Sequence, residues 1–206
     1  MSKLIVFYLA ATAMAQDHAF LRIVSTNTPR PDGLGLFNLN NWSGPAFDGS
    51  HVVFTTIGAN ASLWTYELAT SQFRKLADTN TPAPGGTGNF TDFGSLSWRP
   101  LISSGRVVFL ATDQKPTRPN LGIFSVPVNG GPITRLLNYN TASPSGGTFA
   151  QIDNVATSPS GHLSVSGNRL AFSAVNSDGG QGVYVINLDG TGLTRIADRN
   201  LVYALP

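Results

Sequence analysis

Short runs in which apolar and polar residues alternate recur along the chain, separated by turn-forming residues. Leu63-Trp64-Thr65-Tyr66-Glu67-Leu68, Gly122-Ile123-Phe124-Ser125-Val126-Pro127-Val128 and Gly182-Val183-Tyr184-Val185-Ile186-Asn187-Leu188 each alternate with a period of two. That spacing predicts strands with one packed face and one more exposed face. A second landmark precedes each run: Asp48-Gly49-Ser50-His51-Val52-Val53-Phe54, Ser104-Gly105-Arg106-Val107-Val108-Phe109 and Ser166-Gly167-Asn168-Arg169-Leu170-Ala171-Phe172. Each is a turn followed by β-forming residues, the pattern of a hairpin feeding a strand. Gly, Pro and β-branched residues interrupt every plausible helical face, so helix is not the main element.

A third landmark turns these pieces into a repeat. The stretch "KLADTNTPAPGGTGNF" from Lys75 matches one from Arg22 ("RIVSTNTPRPDG") and one from Arg135 ("RLLNYNTASPSG"), and a fourth begins at Arg195 ("RIADRN"). The starts advance by 53, 60 and 60 residues, which is an internal repeat and not an isolated motif. Each complete unit supplies four short antiparallel strands, the first expected within residues 90–98 and 152–158. Four strands per repeat is the size of a propeller blade.

At these landmarks the chain resembles the TolB-like, WD40-like (PD40) β-propeller repeat family. The resemblance is strongest over "SPSGHLSVSGNRLAFSAVNSDGGQGVYVINLDGTGLTRIAD", residues 158–198, and coarser versions cover residues 22–195. It implies an all-β fold of three four-stranded blades, a partial propeller with three full repeats and a truncated fourth. These units are longer than a typical WD40 unit, and a closed propeller normally has four or more blades. Three arrangements stay open: a fragment of a larger propeller, a half-propeller that closes as a homodimer, or a divergent closed form. Open sheet edges would invite a second copy or missing blades.

The leading residues add a location. Lys3, the apolar run 4–11 and Ala13-Met14-Ala15 read as a secretory signal over residues 1–15, leaving a mature repeat domain over residues 16–206, secreted or extracytoplasmic. A buried strand and a short membrane anchor are the competing readings. The run is too short for a membrane span, and the mature chain has no other segment of spanning length. Formal charge is +2 for the 206 residues and about +1 once Lys3 is removed, with the basic residues scattered, so no nucleic-acid partner is expected. The absence of cysteine removes disulfides and thiolate metal sites. Asn41, Asn60 and Asn89 each begin a glycosylation sequon, which matters only where the source has the machinery.

Candidate chemistry is sparse. Asp78-Thr79-Asn80-Thr81 with the following Pro-Gly-Gly could form a rim loop whose oxygens approach a hard cation or polar ligand. Ser25, Asp78, Asn138 and Asp198 occupy the equivalent position, so charge does not recur there, and a turn built by Asn, Pro and Gly explains the stretch better. The 187–198 segment approaches a calcium-loop spacing but lacks the acidic first ligand and the final Glu, and reads as a hairpin turn. Glycine-rich stretches at 33–35 and 85–88 lack the strand-to-helix setting of a phosphate loop. His18, His51 and His162 are too dispersed for a metal site, and no Gly-x-Ser-x-Gly elbow is present. Arg22, Lys75, Arg135 and Arg195 read as solvent-facing strand starts or contacts between units. Most aromatics are expected to pack between sheets, while Trp42, Phe90 and Phe93, beside Asn- and Gly-rich connections, are the candidates for a surface platform.

These residues give a ligand-binding set of Trp42, Asp78, Asn80, Phe90 and Phe93, with no catalytic residue, metal or cofactor assigned. The leading reading is a non-catalytic scaffold binding protein or carbohydrate through its rim loops. The alternatives are a hydrolase whose residues converge in a propeller channel, and a purely structural fragment of a larger propeller.

Overall fold

A computed structural model of the chain describes residues 20–39, 44–58, 60–86, 88–93, 99–113, 121–152 and 163–199. Blade one consists of β1 (Ala46–Phe47), β2 (His51–Thr56), β3 (Ser62–Glu67) and β4 (Gln72–Asp78), hydrogen-bonded in that order. Blade two repeats the arrangement with β5 (Leu101–Ser103), β6 (Arg106–Thr112), β7 (Leu121–Pro127) and β8 (Thr134–Asn138). Blade three contains β9 (Phe149–Ile152), β10 (Ser164–Ser166), β11 (Arg169–Asn176), β12 (Gln181–Asn187) and β13 (Thr194–Asp198). There β10 to β13 follow in order and β9 pairs with the C-terminal end of β11. Among the described residues every pairing is antiparallel and no sheet closes on itself, so the fold is all-β and has the form of a partial propeller.

The register is the same in each blade. Phe54 faces Trp64, Phe109 faces Phe124 and Phe172 faces Tyr184 across the second and third strands. The fourth strand is bulged at one repeated point, after Leu63, Ile123 and Val183 on the facing strand. Alternation then sends each strand's two faces to different neighbours. Val53, Leu63 and Leu76 of blade one meet Val107, Phe109, Phe124 and Val126 of blade two. Val108, Leu110, Ile123 and Leu136 of blade two meet Leu170, Phe172, Tyr184 and Ile186 of blade three. On blade one, Phe37, Phe54 and Trp64 form a third cluster, covered in part by Val24, Leu39, Val52 and Phe73.

A hydroxyl crosses each blade junction at one repeated position. Thr65 Oγ1 donates to the Val128 carbonyl at 3.2 Å, and Ser125 Oγ donates to the Leu188 carbonyl. Both donors sit on third strands, and both acceptors follow the third strand of the next blade.

Two expectations about the strands need correction. The first strand of blades two and three is β5 and β10, beyond the regions 90–98 and 152–158. The reason is the tight turn: Ser104 (φ 49°) and Gly105 (φ 70°) join Ser103 directly to its partner Arg106, so the strand before the turn is the innermost one. Within the expected regions, Ile152 does end a strand, but that strand pairs at the opposite end of β11. Asp92 makes the corresponding bridge to Thr112 in blade two. Residues 94–98 and 153–158 lie outside the described residues, as does the leader over residues 1–15.

Candidate functional site

The connections that lead into the three blades are built alike, residue by residue. In each, the first residue of the turn, Ser25, Asp78 or Asn138, the latter two being the last of β4 and β8, takes a backbone hydrogen bond from the Thr three positions on, and its own N–H donates to that Thr's hydroxyl. Its side-chain oxygen accepts the backbone N–H of Asn27, Asn80 or Asn140 at 2.9–3.3 Å. Ser, Asp and Asn all serve here because the turn asks only for a short side chain with an acceptor oxygen. This is why charge does not recur at the position.

Each connection then folds into a small hairpin bridged by Pro29–Leu36, Pro82–Asn89 or Ala142–Thr148. It returns to the blade through a buried phenylalanine. The N–H groups of Phe37, Phe90 and Phe149 bond the carbonyls of Thr28, Thr81 and Thr141. Their rings stand edge-on to Trp64, Phe124 and Tyr184, with centroids 5.0–5.1 Å apart. Such offset aromatic contacts add to the area they bury. Each connection therefore plugs the blade that follows it.

In the first connection a charge network closes the loop. Arg30, almost wholly buried, grips Asp32 through Nε at 3.0 Å and Nη2 at 2.7 Å, donates to the Asn60 carbonyl, and lies 5.4 Å from the Trp64 ring centre. Lys75 of β4 bonds Asp32 at 3.1 Å and Asp78 at 2.7 Å. Burial alone would raise the Asp32 carboxyl, but the hydrogen bonds from Arg30, Lys75 and the Leu34 N–H, with the charge of Arg30, pull it down to about 2. Asp78 is lowered in the same way, its burial outweighed by Lys75, the Asn80 N–H and the Thr81 hydroxyl. Lys75 is raised, because its two carboxylates outweigh its burial.

Blade two preserves the geometry without the acid. Arg135, equivalent to Lys75, donates to the Gly85 carbonyl at 2.7 Å, and Gly85 stands where Asp32 does in the first connection. The recurring basic residues of these two blades thus clamp the connection of their own blade. Arg195 instead pairs with Asp198.

The sequence-derived ligand set divides accordingly. Phe90 and Phe93 are each 1% exposed, in contact with each other and with Phe109, so the expected surface platform is corrected: a glycine-rich connection delivers them into the core. Both carboxylate oxygens of Asp78 are engaged, one by the turn and one by Lys75. Asn80 is exposed. Trp42 lies outside the described residues, as do His18 and His162. The 187–198 segment is a hairpin whose Asp189 accepts from the N–H and hydroxyl of Thr191.

What sequence reasoning missed is the uniform fate of the asparagines. Asn27, Asn80 and Asn140 are all exposed, at one turn position in three successive blades. The turn draws on their backbone N–H groups. The signal was present in the aligned "TNT", "TNT" and "YNT".

Among the described residues no three His, Cys, Asp or Glu side chains gather into a group able to hold a metal ion. No helix among them is long and apolar enough to cross a membrane.

No protein-family model matches the sequence, and no curated protein does. Solved structures match at low identity. A TolB from Acinetobacter baumannii is 14% identical, with 73% of this chain and 42% of that one covered and a TM-score of 0.29. The β-propeller domain of the trilobed protease from Pyrococcus furiosus is 10% identical, with coverage of 75% and 42% and a TM-score of 0.40. An oligogalacturonate lyase in complex with manganese is 16% identical, with coverage of 73% and 38% and a TM-score of 0.42. The chain spans less than half the length of each. These are distant structural likenesses to β-propeller and TolB-like folds.

Proposed function

We propose that the protein is a non-catalytic scaffold, exported from the cytoplasm, that binds a protein or carbohydrate partner across the rim formed by its blade connections. The observation that carries this reading is the exposed asparagine repeated at one turn position in all three connections. A primary amide offers two donors and an acceptor, the chemistry that meets sugar hydroxyls or a peptide backbone. Loops held by a rigid sheet framework are the usual place for such recognition. Phe90 and Phe93 take no part, since both rings are enclosed; Asn80 remains in the set, joined by Asn27 and Asn140. Export rests on the leader pattern of residues 1–15.

The test is binding of the purified protein to glycan and extracellular-protein arrays, beside a variant carrying Asn27→Ala, Asn80→Ala and Asn140→Ala. Saturable binding that the triple variant loses while keeping its fold supports the reading. Binding unchanged in that variant, or none across the arrays, overturns it.

A further inference from the structure

The three rim amides form a regular, uncharged array. Asn27, Asn80 and Asn140 are exposed, and their turns engage only the backbone N–H groups, so among the described residues no hydrogen bond occupies the side chains. Asp78 is the one charged residue in turns 25–28, 78–81 and 138–141, and Lys75 neutralises it at 2.7 Å. Two positions beyond each asparagine stand Pro29, Pro82 and Ala142, all exposed and without a side-chain donor or charge.

The step between these amides repeats. Leu63 and Leu76 pack blade one against blade two, and the equivalent Ile123 and Leu136 pack blade two against blade three. Thr65 and Ser125 donate across the same two junctions. One blade-to-blade relation therefore carries the first turn onto the second and the second onto the third. The same neutral hydrogen-bonding group recurs at each stop.

On the reading that the rim is the binding surface, we propose that its ligand is an uncharged polysaccharide, a chain of neutral sugars that lies along the connections and meets one amide per blade. A repeated site is matched by a repeated ligand. Sugar units bring hydroxyls at a fixed period, each both donor and acceptor, and a primary amide answers both roles. A charged polymer is held by opposite charge, and the turns offer none that is not already neutralised. A folded protein partner fits the array less well, because such interfaces concentrate their binding in a few anchors. Among the described residues the large apolar side chains exposed on the three hairpins, Leu34 at 48% and Leu36 at 52%, occur on the first alone. A single amide contact is worth about a fivefold change in affinity. Three on one polymer reinforce each other, since the later contacts are intramolecular once the first is made.

The experiment is calorimetric titration of the full chain with dextran, mannan and soluble β-glucan, with length-graded oligosaccharides of whichever polymer binds, and with polygalacturonate and heparin as charged probes. Asn27→Ala, Asn80→Ala and Asn140→Ala are titrated singly and together, beside a variant carrying Leu34→Ser and Leu36→Ser, each checked for an unchanged thermal midpoint. The expected result is binding to a neutral polymer that tightens with chain length. Each single asparagine variant should lose about fivefold whichever blade it lies on, and the leucine variant should bind as the parent does. No binding to any of the three neutral polymers, tighter binding to either charged probe, a monosaccharide that binds as tightly as the polymer, or one asparagine carrying nearly all of the effect would each overturn the proposal. An extracellular protein whose binding the triple asparagine variant loses would overturn the polysaccharide and leave the rim standing, whereas polysaccharide binding untouched by every asparagine variant would overturn both.

Discussion

Lys75 and Asp32, 43 residues apart in sequence, meet at 3.1 Å and tie the fourth strand of blade one to the connection that precedes that blade. Asp32 also holds the guanidinium of the buried Arg30, so one carboxylate serves two cations. Removing it leaves Arg30 without its counter-charge. Asp32→Asn is therefore expected to cost roughly 2–3 kcal/mol near neutral pH. Urea unfolding measures it.

The same pair sets a pH window. Asp32 has a folded pKa of about 2, below its ordinary 3.8, so its contribution is complete above about pH 4 and disappears as pH falls toward 2. Lys75 has a folded pKa raised above 10.5, so its contribution is complete below pH 10.5 and is lost as pH rises through the raised value. The stability difference between parent and Asp32→Asn should be flat from about pH 4 to 10 and should shrink on acidification below 4. A difference that stayed constant down to pH 2 would mean that the carboxylate is not held by these cations.

Phe90 should behave as a core residue. Phe90→Ala is expected to destabilise by about 3–5 kcal/mol, in the range for a buried phenylalanine, and Phe149→Ala should do the same in blade three. Denaturant midpoints of the two variants, compared with an exposed substitution such as Asn80→Ala, provide the check. A Phe90→Ala protein as stable as its parent would return that ring to the surface.

Gly122 is fixed by the ring two residues along. A Cβ there would stand 2.9 Å from the Phe124 ring and 3.1 Å from the Leu137 carbonyl. Gly182 has the same relation to Tyr184, whereas blade one carries Ser62, whose hydroxyl accepts the Trp64 indole N–H at 2.8 Å. Gly122→Ala should cost about 1–3 kcal/mol through overpacking, read as a lowered thermal midpoint.

The blade count and the strand order are legible in the sequence because two periodicities coincide: alternation within each strand and a repeat of landmarks between blades. Tyr184, Phe124 and Trp64 align on those two patterns alone. The innermost strands escape the same reading because β1, β5 and β10 have two or three residues each, too few for alternation to register. Phe90 and Phe93 mislead for a different reason. Their neighbours are Asn and Gly, which describe the backbone path of the loop and say nothing about where the next ring goes. Arg30 and Asp32 look like ordinary loop polarity in the sequence, and only the fold brings Lys75 to them. The asparagine array is plain in the sequence, but its meaning comes from the turn, which draws on the backbone N–H groups of those residues and not on their amides.

The separation of fold from recognition within one turn can be tested directly. Thr28→Val, Thr81→Val and Thr141→Val together remove the hydroxyls that close the three turns, while Asn27→Ala, Asn80→Ala and Asn140→Ala together remove the amides beside them. The decisive measurement is the thermal unfolding midpoint of these two triple variants against the parent chain. A marked fall for the threonine set with an unchanged midpoint for the asparagine set is the expected result, leaving the amides available for a partner. An equal fall for both would contradict it, placing the asparagines in the fold and removing the rim surface as the candidate site.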